Sequence, residues 1–223
     1  MRFTDLHNDF LLHLPSTVIA SVWTTELQDP MAEIRRYRSL WNGMLHIEDG
    51  WFITPENIDE IIAFRPYSVG LTWNTDNALA GGAHGNGDLT PWGRKVIEKL
   101  VKAGIIIDLA HLNRQSFWSV VELLKERGQK LFCSHCCFDE IHPHPRNLDR
   151  EQLRAIVESD GIVGLTPVEK FLGDGGFHAH LDYFIENFGS DNIGIGTDYP
   201  YGEKILWRNF ERFNCNRPQR PRS

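Results

Sequence analysis

Apolar and β-branched residues recur along the chain in eight short runs. They are FTDLHND (3–9), TVIASVW (17–23), GMLHIE (43–48), YSVGLTW (67–73), GIIIDLAH (104–111), KLFCSH (130–135), GIVGLT (161–166) and NIGIGTD (192–198). Each has the length and composition of a strand. Between them lie amphipathic stretches that predict helices: Pro30 to Leu40, Pro55 to Phe64, Pro91 to Lys102, Arg114 to Arg127, Arg150 to Ser159 and Ala179 to Asn187. Thr90, Asn113 and Asp149 stand where a side-chain oxygen can accept from the unpaired N–H groups of a first helical turn, and Gln152 completes a capping box with Asp149.

Successive runs end 14, 25, 25, 38, 24, 31 and 32 residues apart, and only the first gap is too short for a full helix. Room for one crossover per gap is the pattern of parallel β/α units. Eight of them predict a closed (β/α)8 TIM-type barrel, at the small end of the ~200–400 residues usual for that fold. An open doubly wound sheet is the alternative that periodicity leaves standing.

At 223 residues the chain reads as one barrel domain over 1–213, followed by a solvated, disordered tail over 214–223 that contains NRPQRPRS. A net charge of -7 with scattered basic residues argues against nucleic acid or an anionic membrane as partner. No window reaches the ~20 apolar residues of a membrane span. A polar motif from residue 5 leaves no room for a secretory signal, so a cytoplasmic protein is expected. Of four cysteines, Cys133, Cys136 and Cys137 crowd into FCSHCC and Cys215 lies far away, which predicts reduced thiols.

A barrel of this kind carries its active site at the carboxyl ends of its strands. The eight runs end there in His7 and Asp9, Trp23, Glu48, Trp73, His111, His135, Thr166 and Asp198. Three histidines and three carboxylates on one rim suit zinc, and two such ions can share a bridging carboxylate and lower the pKa of a trapped water. By strand alternation Asp5, His7 and Asp9 share a face, which makes His7 and Asp9 metal ligands and Asp5, one layer deeper, a group that orients a ligand. His46 lies two residues deeper than Glu48 and reads as a hydrogen-bonded core histidine. His13, His84, His142, His144, His178 and His180 fall in loops or helix starts, where exposure is expected. Cys136 and Cys137 read as buried, inert thiols.

Several motifs resemble, in order, those of the renal (membrane) dipeptidase family of zinc peptidases. They are DLHND, HIEDG, LTWNTDNALAGG, IDLAHLNRQSFWSVVE, CSHCCFDEIHPHPRNLDREQLRAIVESDGIVGL and HLDYFIENFGSDNIGIGTD. The resemblance implies a barrel of the metal-dependent hydrolase kind with two zinc ions per chain, cutting dipeptides by a hydroxide held between the ions. It implies that His7 and Asp9 hold one zinc, that Glu48 bridges, and that His111 and His135 hold the second. Arg146 would bind the substrate's terminal carboxylate, and Asp198 would take the proton and return it to the leaving amine. Without the resemblance, a surface salt bridge for Arg146 and a cap for Asp198 would be the plainer readings.

Two departures stand out. Trp73 occupies the position where relatives commonly carry a histidine against the scissile amide's oxygen, and DYPYG replaces the family's DFDG, putting Pro200 where a second aspartate stands. The chain is also short: the segment before the closing helix, read here as EKILWRNFERF, is reduced, which predicts a more open pocket. The loop NTDNALAGGAHGNGDLTP (74–91) is too glycine-rich and polar to pack and is expected as a partial lid, not a phosphate loop, since the lysine and Ser/Thr of that motif are missing. Alternatives are an amidohydrolase or esterase acting on another small substrate, and a catalytically silent member that binds a ligand or partner. Self-association as a homo-oligomer through Trp51, Phe52 and Trp207 completes the expectations.

Overall fold

The computed structural model describes residues 5–8, 18–40 and 42–198. Eight strands form a closed, all-parallel barrel in sequence order: β1 Asp5–Asn8, β2 Val18–Trp23, β3 Met44–Glu48, β4 Ser68–Gly70, β5 Ile106–Asp108, β6 Phe132–Cys136, β7 Ile162–Leu165 and β8 Ile193–Ile195. Every predicted run contributes one strand, and the open-sheet alternative is excluded by the pairing of β1 with β8 at Asp5 and Ile195. The helices outside it are α1 Pro30–Leu40, α2 Ile58–Ala63, α3 Pro91–Lys102, α4 Arg114–Lys125, α5 Arg150–Glu158, the single turn α6 Glu169–Leu172 and α7 Gly176–Phe188.

Capping chemistry sets the helix starts. Thr90 Oγ1 accepts from Gly93 N and Asn113 Oδ1 from Ser116 N, while Asp149 and Gln152 form the reciprocal capping box. Two starts differ from expectation. The Pro55 turn stays outside α2 because Asn57 accepts from Thr54 N at 2.9 Å and donates to Phe52 O at 2.9 Å, holding 54–57 as a side-chain-bonded turn. Gly173 and Gly176, at φ 59 and 64, break the chain between α6 and α7, so α7 begins three residues earlier than its pattern suggested.

Register separates two kinds of interior. Leu45 and Ile47 of β3, Val69 of β4 and Ile107 of β5 face the helices and pack with Val96, Leu100, Phe117 and Val120 in the main apolar core. Burying each such side chain contributes roughly 1.5–3 kcal/mol. The alternate positions face the lumen, where Ser21 pairs with His46, His46 with Ser68, and Gly70 with Asp108. Ser21, His46, Ser68 and Asp108 are polar and buried, where hydrogen bonding inside the barrel is favoured.

Strand β6 departs from alternation. Its register against β7 shifts between Cys133 and Cys136, which inserts one residue and lets Ser134 and His135 both turn inward. The inserted backbone fits because Gly164 and Gly196 flank it: a Cβ on either would lie 1.9 or 2.0 Å from Ser134 O.

The loop 74–91 is packed rather than loose. Asp76 accepts from the backbone N–H groups of Gly82, Asn86 and Gly87 at 3.1, 3.1 and 2.9 Å, and Leu79 and Ala80 are buried. One carboxylate anchoring three amides offsets the glycines' conformational freedom, which composition alone could not reveal. Phe52 is likewise buried, at 7% exposure, so it is no docking residue; Trp51 is 40% exposed, and Trp207 lies outside the described residues.

Candidate metal centre

His7, Glu48, His111, His135 and Arg146 come from five different segments and meet at the carboxyl end of the barrel, all buried. Glu48, the last residue of β3, stands at the centre. Its Oε1 is 2.8 Å from His111 Nε2 and 3.9 Å from His135 Nε2, and its Oε2 is 3.4 Å from His7 Nε2. The two oxygens of one carboxylate therefore address different histidines. Asp198 Oδ1 lies 3.9 Å from His7 Nε2, and its backbone N donates to His7 O. Asp9 lies outside the described residues, as do His13 and Pro200.

Backbone conformation helps to aim these groups. His111 and Asp198 follow their strands at φ 65 and 52, and Asp49, next to Glu48, sits at φ 68. A left-handed conformation at a non-glycine residue is uncommon, and three of them on one rim are held by the surrounding contacts. Asp49 is fixed by Thr25 Oγ1 at 2.9 Å and Asn77 Nδ2 at 3.0 Å. Asp5 accepts from Thr197 Oγ1 at 2.6 Å, from Thr197 N at 2.9 Å and from the backbone N of His7. It thus ties the start of β1 to the segment just after β8, and acts on His7 through the main chain rather than through the imidazole.

The donor set fits a metal. Arg146 Nη2 donates to His135 Nε2 at 2.8 Å, and Asn74 Oδ1 lies 3.1 Å from His111 Nδ1. A guanidinium only donates and an amide oxygen only accepts, so both rings carry their proton on Nδ1 and present the Nε2 lone pair. The two Nε2 atoms then stand 3.0 Å apart beside a carboxylate, with no proton between them. Lone pairs converging in this way are stabilised by a cation. Burial holds His111 and His135 well below the ordinary imidazole value, and the charge of Arg146 and the neighbouring imidazoles push in the same direction. Neutral rings are the form that ligates.

Arg146 is 4% exposed, its guanidinium carbon lies 5.5 Å from the Phe171 ring centre, and its Nε is buried without a hydrogen bond. It is no surface salt bridge. Together with His111 it lines a cavity of about 460 Å³ that runs outward past His144 and Asn147 to the starts of α4 and α5. Trp73 stands beside His111, its ring 6.1 Å from that of His111 and 5.4 Å from that of Trp23. The loop 74–91 reaches the same rim, with Ala83 in the cavity lining.

His46 and the cysteines follow the sequence reading, and His180 does not. His46 is held between Ser68 Oγ at 2.8 Å and Asp108 Oδ2 at 3.4 Å. His180 is fully buried rather than exposed: Nδ1 accepts from Phe138 N and Nε2 donates to Leu172 O, both at 3.0 Å, because α7 starts early enough to turn it inward. Cys137 Sγ donates to Thr166 O; a hydrogen bond with Cys136, then burial, pushes the Cys133 thiol up, and burial pushes that of Cys137 up, which keeps both protonated and inert. Asp108 and Ser134 escaped the sequence reading. Only the DxxH spacing of Asp108 to His111 and the adjacency of Ser134 to His135 hinted at them.

Residues 56–214 match the model of the membrane dipeptidase family, peptidase family M19. The chain belongs to that family. The matched segment contains Trp73, His111, His135, Arg146 and Asp198, while His7 and Glu48 precede it. Among solved structures, a metallopeptidase of Rhodobacter sphaeroides liganded with a phosphinate mimic of L-Ala-D-Ala is 27% identical, with a TM-score of 0.62 over 74% of this chain and 53% of that one. A second metallopeptidase structure, dipeptidase AC, is 26% identical with a TM-score of 0.65, over 76% of this chain and 56% of its own. An uncharacterized Klebsiella pneumoniae protein from the pqqA 5' region is 29% identical over 59% of this chain and 54% of its own. The family member described here spans about half the length of such relatives. Among its described residues, no helix is long and apolar enough to cross a membrane.

Proposed function

We propose that the chain is a cytoplasmic, two-zinc dipeptidase that hydrolyses small dipeptides, including those with a D-residue at the carboxyl end. The carrying observation is the convergence of His7, His111 and His135 Nε2 atoms on the two oxygens of Glu48, beside the buried guanidinium of Arg146. In this reading His7, Asp9 and Glu48 hold one zinc, and Glu48, His111 and His135 hold the other. Bound there, zinc supplies Lewis-acid polarisation of the scissile carbonyl and brings the pKa of a coordinated water toward about 7.

The protein's own groups do the rest. Arg146 clamps the terminal carboxylate in two parallel hydrogen bonds, which fixes the distance from the carboxyl end to the reacting amide and disfavours longer peptides. Asp198, near His7 and partly exposed, accepts a proton from the attacking water and passes it to the leaving amine. Trp73 and Trp23 wall off the amino-terminal side and exclude water there. The phosphinate mimic of L-Ala-D-Ala bound by the Rhodobacter relative supports an L,D-dipeptide as substrate. Buried free cysteines agree with a reducing compartment.

A second reading, hydrolysis of another small amide or ester, rests on Trp73, which stands where relatives commonly carry an imidazole and some carry tryptophan, a change that alters specificity. Zinc content measured alongside hydrolysis of L,L- and L,D-dipeptides and N-acyl amino acids decides between the readings. Glu48→Gln is expected to abolish turnover with an unchanged circular dichroism spectrum, since the shared carboxylate charge is lost while the barrel packing is kept. Normal turnover by this variant would refute the two-metal reading.

A further inference from the structure

Beneath the centre, Asp108 and Ser134 form a hydrogen-bonded unit whose bonds all point one way. Asp108 Oδ1 accepts from Ala110 N at 3.0 Å and Ser134 N at 2.9 Å. Asp108 Oδ2 accepts the Ser134 hydroxyl in a short bond, with His46 Nε2 at 3.4 Å. Because the carboxylate takes the hydroxyl proton, the lone pairs of Ser134 Oγ are left for other donors. Two ring nitrogens face them: His135 Nδ1 at 2.9 Å and His7 Nδ1 at 3.4 Å.

We infer that Ser134, oriented by Asp108, is the shared positioning residue that turns the rings of both His7 and His135 so that their Nε2 lone pairs face the metal positions. The inference rests on the dipeptidase reading for the identity of those ligands. Its geometry is independently supported from the other side of the ring, where Arg146 Nη2 donates to His135 Nε2, as it can only if that nitrogen is bare. The inserted residue in β6, and the glycines at 164 and 196 that admit it, exist in this light to bring serine and histidine into the lumen together. A single hydroxyl then serves ligands of both ions. His111 is held separately, by Asn74.

The consequence is a difference between variants. Losing a partner that orients a metal-binding imidazole lowers metal affinity about 10–100-fold. Ser134→Ala is expected to weaken both zinc positions by that factor, whereas Asn74→Ala weakens only one. Asp108→Asn does more than remove a charge. The two backbone donors keep the amide oxygen at the Oδ1 position, so the amide NH2 faces Ser134, which must accept from it and donate its own proton to a ring. One ring must then move its proton from Nδ1 to Nε2, the nitrogen that should ligate, and that ring is His7, because Arg146 keeps His135 Nε2 bare.

The test is zinc affinity by chelator competition on the full chain, with imidazole nitrogen-15 NMR of the metal-free protein as the readout a merely structural role would not move. Expected are Nδ1-protonated rings for His7 and His135 in the wild type, an Nε2-protonated His7 in Asp108→Asn, and loss at both zinc positions in Ser134→Ala. If the wild type takes up two zinc ions and Ser134→Ala holds both as tightly, the inference fails while the dipeptidase reading stands. If the wild type takes up no metal, the reading itself fails and the inference with it. Should Asp108→Asn not fold, Ser134→Ala and the wild-type spectrum still decide.

Discussion

Replacing Arg146 tests the substrate assignment most directly. The guanidinium is 4% exposed, is held by His135 on one edge and Phe171 beneath, and keeps a buried Nε–H with no partner. A terminal carboxylate arriving there forms charge-assisted hydrogen bonds worth about 1.5–3 kcal/mol each. Arg146→Lys keeps the charge and loses one bond of the fork, so kcat/KM for dipeptides should fall about ten- to a hundred-fold, at about 1.4 kcal/mol per tenfold. Arg146→Met loses both bonds, roughly 3–6 kcal/mol, which corresponds to about 10²–10⁴-fold. The assay compares each dipeptide with its carboxamide. Wild-type protein should strongly prefer the acid, and Arg146→Met should treat the two alike. Unchanged preference for the acid in Arg146→Met would refute a carboxylate-binding role, whatever the change in rate.

Three further outcomes follow from the geometry. Gly164→Ala drives a Cβ to 1.9 Å from Ser134 O, so β6 must move; at the upper end of the ~1–3 kcal/mol cost of overpacking, a melting temperature lower by about 6–12 °C is expected by calorimetry. In metal-free protein, His111 and His135 stay neutral when folded but take up protons near pH 6.5 when unfolded. Their contribution is therefore fully present above that pH and is lost as pH falls below it, at about 1.4 kcal/mol per pH unit for each ring, which urea unfolding at pH 7.5 and 6.0 would detect. Asp76→Ala removes the acceptor of three backbone amides, so limited proteolysis should cut within 76–88 in the variant and not in the wild type.

Much of the architecture was legible because it rests on local regularities. Thr90, Asn113 and Asp149 cap helices through hydrogen bonds spanning only two or three residues, so their positions in the chain suffice to place α3, α4 and α5. His180 and Phe52 were misread because their burial depends on where α7 begins and on the turns around Gly50 and Asn57, neither visible in residue type. The loop 74–91 was misread for a related reason: glycine content suggests freedom, whereas Asp76 bonds to amides up to 11 residues away.

By itself the sequence determined the eight β/α units, the rim on which His7, Glu48, His111, His135 and Asp198 would gather, and the resemblance that the family match bears out. Periodicity and side-chain chemistry are properties of residue order. What only the tertiary structure decided is direction: which oxygen of Glu48 meets which imidazole, that Arg146 is buried against His135, and that Ser134 and His135 face inward together. The last depends on one inserted residue in β6 accommodated by glycines 30 and 62 positions away, a close approach between strands that no reading along the chain can measure.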